Sequence, residues 1–145
     1  MRILGLDIGE KRIGVAMSDE LCFTANSLEV IERKNNGEDI NKIGDIVAKY
    51  NVTKIVVGLP KNMDGSLGPS GLEVKKYADK LQKTLGVEVD FWDERLTTVA
   101  AERTLLEADL SRKKRKKVID KMAAAFILQN YLDYISKVDS RKELL

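Results

Sequence analysis

Asp7, the pair Asp93 and Glu94, and Asp120 are the residues of this 145-residue chain whose type and placement invite chemistry. Asp7 stands within the apolar run Ile3 to Ile8, where a carboxylate is costly to bury without a partner. It either accepts hydrogen bonds from the following turn or serves as a metal ligand aimed above a sheet. Asp93 and Glu94 close a later run, and neighbouring strand residues point to opposite faces, so at most one of them shares Asp7's side. Counting Val87, Val89 and Phe91 as inward favours Asp93, although a kink at the strand end could present either. The plain alternative is an acidic approach to a helix N-terminus. Asp120 heads a helical face continued by Ala123, Ala124, Ile127 and Tyr131, and the small alanines would let that helix approach a sheet closely. Its plain alternative is an ion pair with Lys116 one turn away. Carboxylates on three separate elements form a donor set suited to hard divalent cations, Mg²⁺ or Mn²⁺. Two such ions about 3.5 to 4 Å apart activate water and stabilise the leaving oxygen in phosphodiester hydrolysis.

The missing residue types narrow the field toward that chemistry. There is no His, which excludes Ser-His-Asp and Cys-His mechanisms and any His-ligated metal, and a single Cys22 excludes an internal disulfide or a thiolate zinc cluster. The second local signal is Arg112, Lys113, Lys114, Arg115, Lys116 and Lys117, six consecutive cations that end three residues before Asp120. A run of this kind is commonly a solvated face, but beside a carboxylate cluster it would attract phosphate. The overall charge is only +2, and without the run the remaining basic residues are fewer than the 23 acidic ones. The chain thus combines a mildly acidic body with one concentrated cationic patch. Lys11 and Arg12, close to Asp7, could extend that surface. Aromatic residues make up 6%, which favours recognition of backbone or shape over stacking on bases.

The elements that must position these groups follow from periodicity. Ile3 to Ile8 and Arg12 to Ser18 predict a hairpin turned at Gly9, and Ser27 to Arg33 a third strand. Ile40, Ile43, Ile46, Val47 and Tyr50 predict an amphipathic helix from about Glu38 to Tyr50. The uninterrupted Ile55, Val56 and Val57 predict a strand buried on both faces within Thr53 to Gly58. A long loop with Pro60, Gly65, Gly68 and Pro69 leads to a helix stopped by Gly86, and Val87 to Asp93 forms the last strand. A helix capped by Thr97 or Thr98 follows, then the basic run and a long final helix to about Ser136, with Asp139 to Leu145 frayed. This order predicts a mixed five-stranded sheet, antiparallel over its first three strands and parallel thereafter, flanked by helices in a single domain over 1–145. No apolar stretch approaches a membrane span and no leader is evident, so the chain reads as soluble and cytoplasmic.

Four segments in order resemble the bacterial YqgF family, also described as RuvX-like Holliday junction resolvases and as pre-16S rRNA nucleases. They are Leu6-Asp7-Ile8-Gly9-Glu10-Lys11-Arg12-Ile13-Gly14-Val15-Ala16 with Ser18-Asp19, Val57-Gly58-Leu59-Pro60 with Asn62-Met63-Asp64-Gly65, Asp93-Glu94-Arg95-Leu96-Thr97-Thr98, and Asp120-Lys121-Met122-Ala123-Ala124. The resemblance implies a ribonuclease H-like fold and divalent-metal nuclease chemistry. It places Asp7, Glu94 and Asp120 at the acidic triad, with Asp93 in reserve. It also implies Lys11, Arg12 and Arg95 on substrate phosphates, and the loop from Asn62 to Pro69 shaping access. The expected partner is nucleic acid: pre-16S rRNA on the ribosome or its precursors, or branched DNA, met by a monomer or homodimer. A non-catalytic RNA-binding module for ribosome assembly is the rival that keeps this fold. An actin-like or sugar-kinase-like ATP-binding domain is disfavoured because such proteins need two domains of this size.

Overall fold

Alternation in the first 32 residues is realised as an antiparallel meander of β1 (Arg2–Ile8), β2 (Arg12–Ser18) and β3 (Ala25–Glu32). The computed structural model describes residues 1–96 and 112–144, with side chains for 1–96 and 122–138. The β1–β2 turn is closed by the Gly9 amide donating to the Arg12 carbonyl at 2.8 Å. Helix α1 (Asn36–Tyr50) starts two residues earlier than periodicity predicts, because the Asn35 side chain caps it by accepting from the Glu38 amide at 2.9 Å. Strand β4 (Val52–Leu59) pairs parallel with β1, α2 (Pro69–Leu85) ends at left-handed Gly86 with φ +67°, and β5 (Glu88–Asp93) pairs parallel with β4. A 3₁₀ turn, Glu94–Leu96, follows β5, and α3 (Arg112–Leu144) completes the described chain. The helix expected after Thr97 lies outside the described residues. Strand order is β3-β2-β1-β4-β5, the predicted mixed sheet.

Helix α3 is longer than its apolar pattern suggests, taking in both the basic run and most of the tail expected to fray. Lys, Arg and Leu are strong helix formers, so neither segment gives the backbone a reason to leave the helix.

The sheet has two interiors. One face carries Leu4, Leu6, Val15, Ile55 and Val57 against α1 and α2, while the other carries Ile3, Ala16, Val56 and Trp92 against Ala123, Ala124, Ile127, Leu128, Tyr131 and Leu132 of α3. Ile127 and Leu128 are fully buried, worth roughly 1.5 to 3 kcal/mol each in transfer free energy. Gly5 allows α3 to sit directly on β1: a β-carbon there would lie 2.8 Å from Leu128 Cβ and 3.1 Å from the Ala124 carbonyl oxygen. Ile127 lies over Gly58 late in β4, whereas the Tyr131 hydroxyl accepts from Lys54 Nζ at 3.1 Å early in β4 and donates to Asp90 Oδ2 at 3.0 Å. The helix therefore runs against β4, and its N-terminal turns project toward the edge where β1, β4 and β5 end.

Candidate active site

Asp7 is the penultimate residue of β1, half-buried, and pairs with Gly14 across the hairpin. Its parity with Ile3 and Gly5 places it on the α3 face of the sheet. The register Leu6 to Val57 and Gly58 to Trp92 makes Gly58 the next position on β4 beside Asp7. Glu94 comes back over that position: a β-carbon on Gly58 would stand 2.9 Å from Glu94 Oε1 and 2.5 Å from Ile127 Cδ1. The two acids thus belong to one face and one edge of the sheet, on neighbouring strand positions. Gly58 is the cradle that admits the second of them.

Asp93 and Asp7 lie on opposite faces of the sheet. Val89 and Phe91 pack with α1 and α2, so Asp93 follows them to the opposite side from Asp7, whereas Trp92 belongs to the α3 interior and Glu94 follows it there. A sheet covered on both faces has no single inward side, and Trp92 was the residue that marked the relevant one.

Asp93 instead anchors Arg95. The guanidinium donates from Nη2 to Asp93 Oδ2 at 2.7 Å and from Nε to Oδ1 at 3.1 Å, and the Arg95 amide donates to Oδ1 at 3.0 Å. These bonds, with Lys61 Nζ at 4.0 Å, hold the Asp93 carboxyl below its ordinary range. They also wrap the chain tightly around Glu94, which sits between the paired residues. Arg95 Nη1 continues to the Met63 carbonyl at 3.3 Å, latching the loop after β4. That loop is stiff: Gly65 has φ +88°, the Gly65 amide donates to the Asn62 carbonyl, and Asp64 Oδ1 accepts the Ser66 amide at 2.9 Å. The sequence signal for this latch was an Asp and an Arg two residues apart at a strand end, read there as separate ligand and phosphate candidates.

Among the other predicted site residues, Lys11 is exposed in the β1–β2 turn, and Arg12 Nε pairs with Glu32 Oε1 at 2.8 Å on β3. The run Arg112 to Lys117 forms the opening turns of α3. Asp120 belongs to the same helix, seven residues or about two turns before Ile127, roughly 10 Å further toward the Asp7 edge. Among the described residues no set of three acidic, His or Cys side chains forms a metal cage. The site described is the Asp7 and Glu94 pair with the helix bearing Asp120 directed toward its edge.

The sequence model of a family described as "RuvX: Holliday junction resolvase" matches residues 1–134. The chain belongs to the RuvX family. A Clostridium botulinum protein named "Putative pre-16S rRNA nuclease" is 56% identical over 137 residues, 94% of this chain and 100% of that protein. A Halothermothrix orenii protein of the same name is 58% identical over 138 residues, 95% of this chain and 99% of its own. Among solved structures, Thermus thermophilus RuvC in complex with a Holliday junction superposes with a TM-score of 0.58 at 14% identity, covering 94% of this chain and 96% of that one. The fowlpox virus Holliday junction resolvase gives 0.52 at 15%, covering 92% and 99%. At these identities the RuvX-family chain shares the fold of those proteins, the ribonuclease H-like arrangement. The family is one of nucleases. Among the described residues, no helix is long and apolar enough to cross a membrane.

Proposed function

We propose that this RuvX-family chain is a divalent-metal-dependent nuclease that trims the 5′ end of pre-16S rRNA in the cytoplasm, as one domain over residues 1–145. The observation that carries the reading is that the Glu94 carboxylate lies over Gly58, the position on β4 beside Asp7 and on the same face of the sheet. Half-buried carboxylates on one face and edge suit Mg²⁺ or Mn²⁺, and Asp120, carried by α3, would be the third ligand. Two bound ions would supply a hydroxide-like water and charge neutralisation at phosphorus. Asp7, Glu94 and Asp120 would hold the ions, and the Asp93–Arg95 latch on either side of Glu94 would keep that carboxylate in place. Lys11 and the cations of 112–117 attract the phosphates of the strand. Arg12 and Arg95 contribute through their partners, Glu32 and Asp93, and any phosphate contact by them competes with those ion pairs.

RNA is preferred because the curated relatives at 56% and 58% identity carry that substrate in their names. The second reading, resolution of four-way DNA junctions, is favoured by the description of the family. It requires two sites in a symmetric pair, whereas end-trimming is within the reach of a monomer. Purified protein with Mn²⁺ or Mg²⁺ is expected to shorten a pre-16S 5′-leader RNA and to leave a four-way junction uncut. Paired symmetric nicks in the junction, with the RNA untouched, would reverse the assignment.

A prediction about binding follows from α3. Replacing Arg112 to Lys117 by Gln is expected to weaken RNA affinity by 10- to 100-fold at about 0.1 M salt and to flatten the dependence of log K on log [salt] by several counterions. An unchanged slope in a filter-binding series would make the run a solvated face only.

A further inference from the structure

On the far side of the same sheet edge lies a cleft of about 350 Å³ that the carboxylate site does not use. It is adjacent to that site: Ile8 and Gly9 directly follow Asp7, and Pro60 stands two residues after Gly58. We propose that this cleft binds one nucleotide, with its base against the apolar wall and its phosphate on the lysines of α2.

Ile8, Pro60 and Val74 form a wall without polar side chains, suited to the face of a flat ring. The floor is Tyr77, with the Arg33 guanidinium 5.1 Å from its ring centroid. Arg33 is fixed there by donating to the Gly9 carbonyl at 2.6 Å and to Asn36 Oδ1 at 3.2 Å, and by Asp39 Oδ2 at 3.7 Å. Tyr77 is 5% exposed, and its hydroxyl has no hydrogen-bond partner among the described residues. Lys76 and Lys80, one turn apart on α2, stand at the rim, with Glu73 on the same helix and Glu10 from the β1–β2 turn in the lining. A flat ring and an anionic group within this volume describe a nucleotide.

The nucleotide is either an unstacked residue of the substrate strand or a free nucleotide. Only the first form rests on the nuclease reading. The test is therefore made by binding, in EDTA, on full-length Asp7→Asn protein labelled at Ile and Val methyl groups. The probes are AMP, GMP, CMP and UMP at millimolar concentration, and a short single-stranded RNA.

Saturable shifts are expected at Ile8 and Val74. The substitution Ser70→Trp, which fills the mouth from an exposed position, should abolish them, and Lys76→Glu with Lys80→Glu should weaken binding about tenfold or more. Shifts with RNA alone assign the cleft to the strand, and shifts with mononucleotides assign it to free nucleotide as well. Silence at Ile8 and Val74 with every probe, or equal shifts in the Ser70→Trp protein, overturns the proposal. Because no cleavage is measured, failure of the nuclease reading leaves this result standing.

Discussion

Asp7→Asn is expected to lower the rate of RNA cleavage by about a thousandfold or more while leaving the fold intact. The substitution keeps the size and shape of the side chain and leaves the backbone pairing with Gly14 untouched, so β1 has no reason to shift. What disappears is the negative charge on the face and edge of the sheet that Glu94 also occupies. On the proposed mechanism that charge helps hold the ions, and a thousandfold loss corresponds to ~4 kcal/mol of transition-state stabilisation. Stability should change little, because the amide keeps the size and shape of a half-buried side chain. The check is a single-turnover rate at saturating Mn²⁺ together with a thermal melt in EDTA. A rate within tenfold of the parent would remove Asp7 from the metal site. A collapse of the melt would make the lost activity uninformative, and the same comparison would then be read from Glu94→Gln, whose side chain lies in the turn after β5.

How much of this was legible beforehand depends on whether local chemistry or packing decides the feature. The hairpin around Gly9 follows from strict alternation, and the buried β4 follows from Ile55, Val56 and Val57 in succession. The end of α2 follows from Gly86, which adopts the left-handed conformation that residue permits. The choice between Asp93 and Glu94 could not be made this way, because alternation says which residues share a face and not which face holds the site. Packing places the two acids on different faces: α3 covers the side of Ile3 and Gly5 with Trp92 beneath it, and Glu94 follows Trp92 there. Arg95 was equally opaque. Its charge reads as a phosphate ligand in one dimension, yet in the fold the nearest anion is Asp93 two residues earlier, and the remaining donor reaches a loop more than thirty residues away in the chain. The cleft beside Tyr77 has no sequence mark at all, since its lining comes from the ends of β1 and β4 and from the two helices between β3 and β5.

Gly58→Ala tests whether the cradle acts through Glu94. The strand backbone at this position lies outside the left-handed region, and alanine loses less conformational freedom on folding than glycine, so the backbone itself gains slightly. Against this, the new methyl meets Ile127 Cδ1 at 2.5 Å and Glu94 Oε1 at 2.9 Å. The first is the far end of a side chain that has other rotamers, although Ile127 is fully buried and its adjustment costs about 1 kcal/mol. The second contact involves the carboxylate oxygen itself. To clear the methyl, Glu94 must retreat by several tenths of an ångström, while Asp93 and Arg95 on either side keep its backbone where it is. Misplacing a reacting constellation by up to ~1 Å costs up to about a hundredfold, so a 10- to 100-fold fall in kcat is expected with a change in stability of about 1 kcal/mol or less. The decisive comparison is the double substitution. If the methyl acts by displacing Glu94, Gly58→Ala should add little to Glu94→Gln, because one group is lost only once. Fully multiplicative effects would mean that Gly58 acts through the packing of α3 and not through the carboxylate. Gly5→Ala provides the contrast, since its methyl meets Leu128 Cβ and the Ala124 carbonyl rather than a carboxylate. That substitution should lower the melting temperature first, with activity falling only as the protein unfolds.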